Sequence, residues 1–145
     1  MRYALPQPFE ELDHTADVGV VVTGETAEEA VARLVLSMSH LLTGGGTVAV
    51  GVEPVEISVE AGDPISMALD LLRELLFRFD CDHEVAGACE VVRFDPTEGA
   101  TLLAWLAPWD EKAHEEGTEL KAVTLHAARF EQTPSGWLAQ VVFDV

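Results

Sequence analysis

The sequence predicts an α+β fold in which two helices pack on a mostly antiparallel β-sheet that ends in a C-terminal hairpin. Three observations lead to this prediction: a length of 145 residues that suits one core, two segments with helical spacing, and about seven short segments of strand character. No repeat, low-complexity segment or linker divides the chain. We therefore expect residues 1–145 to form a single domain.

Both predicted helices have recognisable starts and ends. The first follows Thr26, which has the spacing of a capping box with Glu29, and the glycines at 44–46 end it. The second opens with Asp63-Pro64 and ends near Asp80. Apolar residues at helical spacing predict one buried stripe on the first helix, made of Ala27, Ala30, Val31, Leu34, Val35, Met38, Leu41 and Leu42.

The remaining apolar segments have the composition and alternation of strands. After an extended start at Pro6 and Pro8, we expect strands at 9–13, 18–23, 54–60, 88–95, 100–107, 120–131 and 137–144. The last two flank Thr133-Pro134-Ser135-Gly136, a turn sequence typical of an antiparallel hairpin. Residues 108–119 form a polar, acidic loop.

Charge is the strongest compositional feature. The 26 Asp and Glu residues outnumber the 8 Lys and Arg residues, for a formal net charge of −18. Such a chain should repel a phosphate backbone, so we expect no direct nucleic-acid binding. If the protein works on RNA, it does so through a partner, and a basic partner surface would be the complement. Composition alone leaves open whether the acidity serves a partner or only solubility.

Targeting signals are absent from the sequence as given. No apolar run approaches the roughly 20 residues that span a bilayer, and the first residues lack a signal-peptide pattern. We expect a soluble, cytoplasmic protein. Cys81 and Cys89 have neither a CxxC nor a zinc-site spacing, and two reduced thiols are the expectation for this compartment.

Two acidic segments are candidates for chemistry. Asp13-His14-Thr15-Ala16-Asp17 places two carboxylates and an imidazole in a turn between strands, where they could hold a metal, act as an acid–base pair, or only stabilise the turn. At the C-terminus, Asp144 precedes the α-carboxylate of Val145. Carboxylates that converge need a cation, and such hard oxygen ligands suit calcium, magnesium or manganese.

Other polar residues give weaker signals. Lys121, at the start of a strand, is either a plain exposed charge or a counter-charge to nearby carboxylates. Residues 80–83, Asp-Cys-Asp-His, are better explained by a helix end than by a metal site, and His114 and His126 lack local partners. No serine elbow, HExxH or GxGxxG motif is present, so local motifs do not indicate an enzyme.

Four segments together resemble the archease family. They are FEELDHTADVGVVVTGETAEEA at 9–30, ELLFRFD at 74–80, GTELKAVTLH at 117–126, and the closing VFDV. They occur in family order, and the combination is more specific than any one segment. Archeases are non-catalytic helpers of the RtcB-type RNA ligase of tRNA splicing and RNA repair, which uses GTP and manganese to form a histidine–guanylate. The resemblance implies that this chain promotes guanylylation and repeated turnover of such a ligase.

The resemblance also implies residue roles. A divalent ion, calcium with manganese or magnesium as alternatives, would be held by Asp17, Asp144 and the last residue, Val145. Lys121 matches a position linked to activation of the ligase. Asp13 and His14 match the rest of the family's acidic box, with less defined supporting roles.

The chain departs from the family pattern in the acidic loop at 108–119, in the glycine-rich stretch at 44–53 and at Leu125. Leu125 replaces a usual tyrosine, and we expect it to fill a core-facing position. The first alternative function is a chaperone-like modulator of a tRNA methyltransferase. The second is a metal-dependent hydrolase that would use Asp13, His14 and Asp17.

Overall fold

The computed structural model describes residues 1–13 and 17–145, and Asp13 through its main chain alone. Two helices are present in this part of the chain, α1 (Ala27–Thr43) and α2 (Pro64–Asp82). The described strands are β1 (Arg2–Ala4), β2 (Glu10–Asp13), β3 (Asp17–Gly24), β4 (Val55–Val59), β5 (Glu84–Asp95), β6 (Gly99–Pro108), β7 (Ala122–Thr133) and β8 (Gly136–Asp144). Neither described helix is long and apolar enough to span a lipid bilayer.

The strands form two four-stranded sheets, one in the order β1-β5-β6-β4 and the other in the order β2-β3-β8-β7. All neighbouring strands in both sheets are antiparallel. The predicted fold class is confirmed, and the structure adds that the strands divide between two sheets.

The helices form a layer that contacts both sheets. α1 contacts β5 of the first sheet and β3 and β8 of the second, and α2 contacts β4, β5 and β7. This position explains why α1 buries the unbroken run from Leu34 to Ser39, since a helix covered on opposite faces has little surface left for solvent. Buried hydroxyls in α1 donate to main-chain carbonyls one turn back, as Ser37 does to Arg33 at 2.6 Å and Thr43 to Ser39 at 2.9 Å.

The helix boundaries follow the predicted caps, with one difference. Thr26 Oγ1 accepts from the amide of Glu29 at 3.1 Å, and Asp63 accepts from Ser66 at 3.0 Å. α2 runs two residues past Asp80, however, to Asp82, and His83 caps it in the left-handed conformation with φ 54°. No glycine or proline marks this end of α2. For that reason the predicted helix end was too early, and the predicted start of β5, at residue 88, was later than the observed start at Glu84.

The hairpin is confirmed, with Thr133 paired to Gly136 across the β7–β8 turn. β1 is an additional strand that pairs with β5. Both cysteines are free; Cys81 is exposed and Cys89 is buried. Burial raises the pKa of the Cys89 thiol to about 12, so that this side chain behaves as a core residue rather than a nucleophile.

Candidate functional site

The register of the second sheet brings two of the predicted ligands together. Asp17 at the start of β3 is the Cα partner of Asp144 at the end of β8. Side chains of directly paired residues project from the same face, with Cβ atoms about 4.5–5.5 Å apart. Asp17 is half-buried and Asp144 is exposed. Val145 follows immediately and is 37% exposed. Two carboxylates from distant parts of the sequence therefore share one edge of the fold.

A third segment reaches the same edge. The amide of Lys121 donates to the carbonyl of Asp144 at 2.8 Å, and the next residue, Ala122, is the Cα partner of Asp144. The Lys121 side chain is exposed. We call the edge formed by Asp17, Asp144, Val145 and Lys121 the acidic edge.

The other members of the predicted site are described in part or not at all. The main chain of Asp13 lies in β2, where Asp13 is the Cα partner of Val18, the residue after Asp17. The Asp13 side chain and His14 lie outside the described residues. Their supporting roles stay predictions.

The acidic edge stands on a well-packed base. Phe143, which precedes Asp144, is fully buried, and its partner Val123 is 5% exposed. The Arg73 guanidinium of α2 donates to the Val123 carbonyl through two nitrogens, each at 3.2 Å. Since this packing holds β7 and β8 up to the edge, the fold determines the main-chain position of Asp144.

The acidic edge offers oxygen groups that could serve as ligands of a cation. Within residues 1–13 and 17–145, no group of three or more His, Cys, Asp or Glu side chains is placed to hold a metal. Asp17 and Asp144 supply two carboxylates, and a third oxygen group would be the α-carboxylate of Val145. Neighbouring carboxylates repel each other without a cation, and an all-oxygen set fits calcium or another hard divalent ion.

A bulge in β7 lies beside the acidic edge. The pairing of β7 with β8 shifts between Thr124 and Arg129, and Ala127 has φ 54°. Gln140 donates to the Ala127 carbonyl at 2.8 Å and holds the bulge against β8. Leu125 is 66% exposed. The expectation that it fills a core-facing position is wrong, because the bulge breaks the in–out alternation on which that expectation depends.

Sequence reasoning missed the role of His114. The residue is 2% exposed, its Nδ1 accepts from the amide of Asp110 at 2.8 Å, and its Nε2 lies 2.9 Å from the Thr47 carbonyl. Since the carbonyl can only accept, Nε2 carries the proton. The partner is a main-chain amide four residues back, which side-chain patterns do not reveal. His114 thus fixes the acidic loop at 108–119 to the segment that follows α1.

The fold and the acidic edge together define a small two-sheet α+β protein with aspartates paired at adjoining strand ends. Residues 9–145 match the model of the Archease protein family (MTH1598/TM1083). The chain belongs to this family, and the resemblance seen in the sequence is confirmed.

Similar proteins extend along nearly the whole chain. Protein archease of Methanosarcina mazei is 34% identical over 140 residues, which cover 94% of this chain and 95% of that protein. Protein archease of Pyrococcus furiosus is 33% identical, over 94% of this chain and 98% of that protein. An archease-like protein of Dictyostelium discoideum is 29% identical, over 94% and 93%.

Two solved structures have the same fold. Protein 1598 of Methanobacterium thermoautotrophicum has a TM-score of 0.74 at 27% identity, and the match covers 94% of this chain and 98% of that one. An archease from Thermotoga maritima, described as a "possible chaperone", has a TM-score of 0.59 at 19% identity, with 99% of both chains covered. The similarity to the Thermotoga maritima structure shows only that the fold is shared.

Proposed function

We propose that this protein is a non-catalytic activator of an RtcB-type RNA ligase, and that it promotes guanylylation and repeated turnover of the ligase while holding a divalent metal at the acidic edge. The observation that supports the proposal most is the pairing of Asp17 with Asp144 in a chain of the archease family. Lys121, the residue proposed to act on the ligase, lies beside this pair.

The proposed metal ligands are Asp17, Asp144 and the α-carboxylate of Val145. When bound, the ion neutralises these carboxylates and offers its remaining coordination positions to water or to an oxygen of the partner. The chain's own part is to hold the two strand ends in register and to present Lys121 next to them. Calcium is the proposed ion, with manganese and magnesium as alternatives.

The charge of the molecule supports a protein partner rather than direct contact with RNA. At a net charge of −18, the protein repels phosphates and attracts a basic surface over long range. We propose that RNA is handled by the ligase alone. The exposed Leu125 adds an apolar contact beside the charged groups.

The proposal is tested with the purified cognate ligase, GTP and manganese. The protein should speed formation of the ligase–guanylate and raise the number of ligation turnovers, and it should join no RNA ends alone. An active ligase whose guanylylation and turnover are unchanged by the protein would refute the proposal.

Lys121→Ala should reduce the activation at least tenfold, because it removes the cation presented to the ligase. The chain offers a matched control in its other lysine, exposed Lys112 in the acidic loop, whose alanine variant should activate normally. If the two variants activated the ligase equally well, Lys121 would have no role in the proposed mechanism.

The metal site has its own prediction. Titration calorimetry with calcium and with manganese should show binding to the unmodified protein, and at least tenfold weaker binding to Asp17→Asn and Asp144→Asn. Adding residues after Val145 should have a similar effect, because a neutral amide replaces the α-carboxylate. Asp80→Asn removes an exposed carboxylate from α2 and is the control. Unchanged affinity in all three altered proteins would exclude the site.

A further inference from the structure

A cavity of about 460 Å³ lies between the ends of both helices and the acidic loop, and no residue of the acidic edge lines it. Leu42 of α1 and Phe79 of α2 contribute to its walls. The remaining lining residues come from the end of α2 and from the loop, and they include His83, Trp109 and His114. We call it the aromatic cavity. Its size falls within the usual range of ligand sites.

The rings of the aromatic cavity stand on different walls. Phe79 and Trp109 are nearly perpendicular, at 88°, with centroids 5.9 Å apart. His83 lies 6.0 Å from Phe79 and 6.4 Å from Trp109. A main-chain hydrogen bond also joins two of these residues, since the amide of Trp109 donates to the carbonyl of His83 at 2.7 Å. The backbones that carry the two rings are therefore held next to each other.

Most hydrogen-bond donors of the walls are already used inside the protein. The Trp109 indole N–H donates to the Leu42 carbonyl at 2.9 Å, and His114 uses both ring nitrogens. The amides of Gly117 and Thr118 donate to the carbonyls of His114 and Leu41. The cavity consequently presents ring surfaces and few N–H groups, which disfavours an anionic ligand.

The charged residues that line the aromatic cavity are all acidic: Glu111, Glu115 and Glu119. All three are exposed and line the cavity, so they form its solvent-facing rim. Aromatic faces and carboxylates both attract a cation. The aromatic walls and the negative charge of the rim are two separate features, and both favour a cationic ligand.

We propose that the aromatic cavity binds the guanidinium of an arginine side chain that a partner protein inserts. A guanidinium is planar and weakly hydrated, so its face stacks on Trp109 or Phe79 while its N–H groups reach the rim carboxylates. An ammonium is more strongly hydrated, and a quaternary ammonium has no N–H for the carboxylates. The proposal goes beyond the activation of a ligase and needs neither the acidic edge nor a metal.

The test uses N-acetyl-arginine methylamide as the probe and its neutral citrulline analogue as the control. Nitrogen-15 NMR of the unmodified protein reports on three indole N–H signals, from Trp105, Trp109 and Trp137. The Trp109 signal should move and saturate with the arginine probe, and move at least fivefold less with citrulline. The signals of Trp105 and Trp137 should stay in place.

Matched variants separate the cavity from general charge attraction. Glu115→Gln with Glu119→Gln should weaken binding of the probe at least threefold. Glu56→Gln with Glu60→Gln removes the same charge, with the same spacing, near the opposite end of β6 and should leave binding unchanged. His83→Asn removes one ring while asparagine tolerates the left-handed backbone, and it should also weaken binding.

Three results would overturn the proposal: equal shifts with arginine and citrulline, equal binding by the two glutamine pairs, or tighter binding of tetramethylammonium than of the arginine probe. No ligase, RNA or divalent metal is present in these measurements. Failure of the cavity proposal therefore leaves the proposed ligase activation untouched, and the reverse also holds.

Discussion

Glu29 joins three parts of the fold through one carboxylate. It accepts from the amide of Glu25 at 2.9 Å and from the Tyr3 hydroxyl at 2.9 Å, and it lies 3.5 Å from Arg33. The hydrogen bond from Glu25 is the main reason that the pKa of Glu29 is lowered. Burial, and then the bond to Glu29, raise the pKa of Tyr3. The carboxylate thus ties β1 to the start of α1.

Glu29→Gln should therefore destabilise the protein by about 1 kcal/mol at pH 7, as measured by urea unfolding. A carboxylate with a lowered pKa stabilises fully above its ordinary pKa of about 4.3, and this contribution is lost as the pH falls through the folded-state value. The difference between the two proteins should thus shrink in acid. Glu28→Gln, at the preceding position of the same turn, is the control. A difference independent of pH would show that the charge of Glu29 is not what matters.

The residues of the acidic edge show how far sequence reasoning reaches at this scale. Local spacing left Asp17 in a turn and Asp144 in an ordinary chain end, because nothing local records that β3 and β8 pair. From the sequence, only the family resemblance placed these two residues in one site, and the strand register then showed that they are paired. His114 was missed since its partners are main-chain groups, and Leu125 was placed wrongly since the bulge in β7 leaves no local signature.

At the scale of the element, α1 differs most from its sequence pattern. The apolar spacing predicted one stripe, and all its members from Ala30 onward are buried. The structure also buries Ala32, Leu36 and Ser39, which lie off the stripe. Amphipathic patterns assume one broad face in contact with solvent, and a helix covered by two sheets keeps little of such a face. The caps and the hairpin turn were predictable because their signals are local.

Leu36→Ala should cost about 2–5 kcal/mol of the free energy of unfolding, close to the cost of Leu34→Ala on the predicted stripe. Both leucines are at most 1% exposed. Leu125→Ala, in the exposed bulge, is the matched control and should change stability by less than about 0.5 kcal/mol. Denaturant unfolding of the three variants measures this, and a small effect at Leu36 would contradict the three-layer arrangement.

Across the whole molecule, the excess of acidic residues leaves like charges close together. A formal net charge of −18 on 145 residues produces repulsion that the folded state must oppose. The ion pairs among the described residues are mostly short-range surface contacts, such as Arg129 with Glu131 and Arg78 with Glu74. Such pairs contribute little to stability.

Salt should therefore stabilise this protein. Raising sodium chloride from about 0.01 M to about 0.15 M shortens the screening length from about 30 Å to about 8 Å. The Tm measured by calorimetry should rise by several degrees, and potassium chloride should have the same effect because screening does not depend on the identity of the cation. A Tm that is constant, or that responds to one salt alone, would argue against repulsion as the cause.

The position of β8 has a consequence for how the molecule folds. β8 lies in the interior of its sheet, between β3 and β7, yet its partner Asp17–Gly24 precedes it by more than a hundred residues. While residues 136–144 are still being synthesised, β3 and β7 lack the strand that lies between them, and the helices have no finished second sheet to pack against. Closing so long a loop is slow, and we expect refolding in about milliseconds to seconds. An unfinished chain would expose the apolar layer for that interval. The net negative charge would then oppose aggregation by repulsion between chains, before the charge serves any partner.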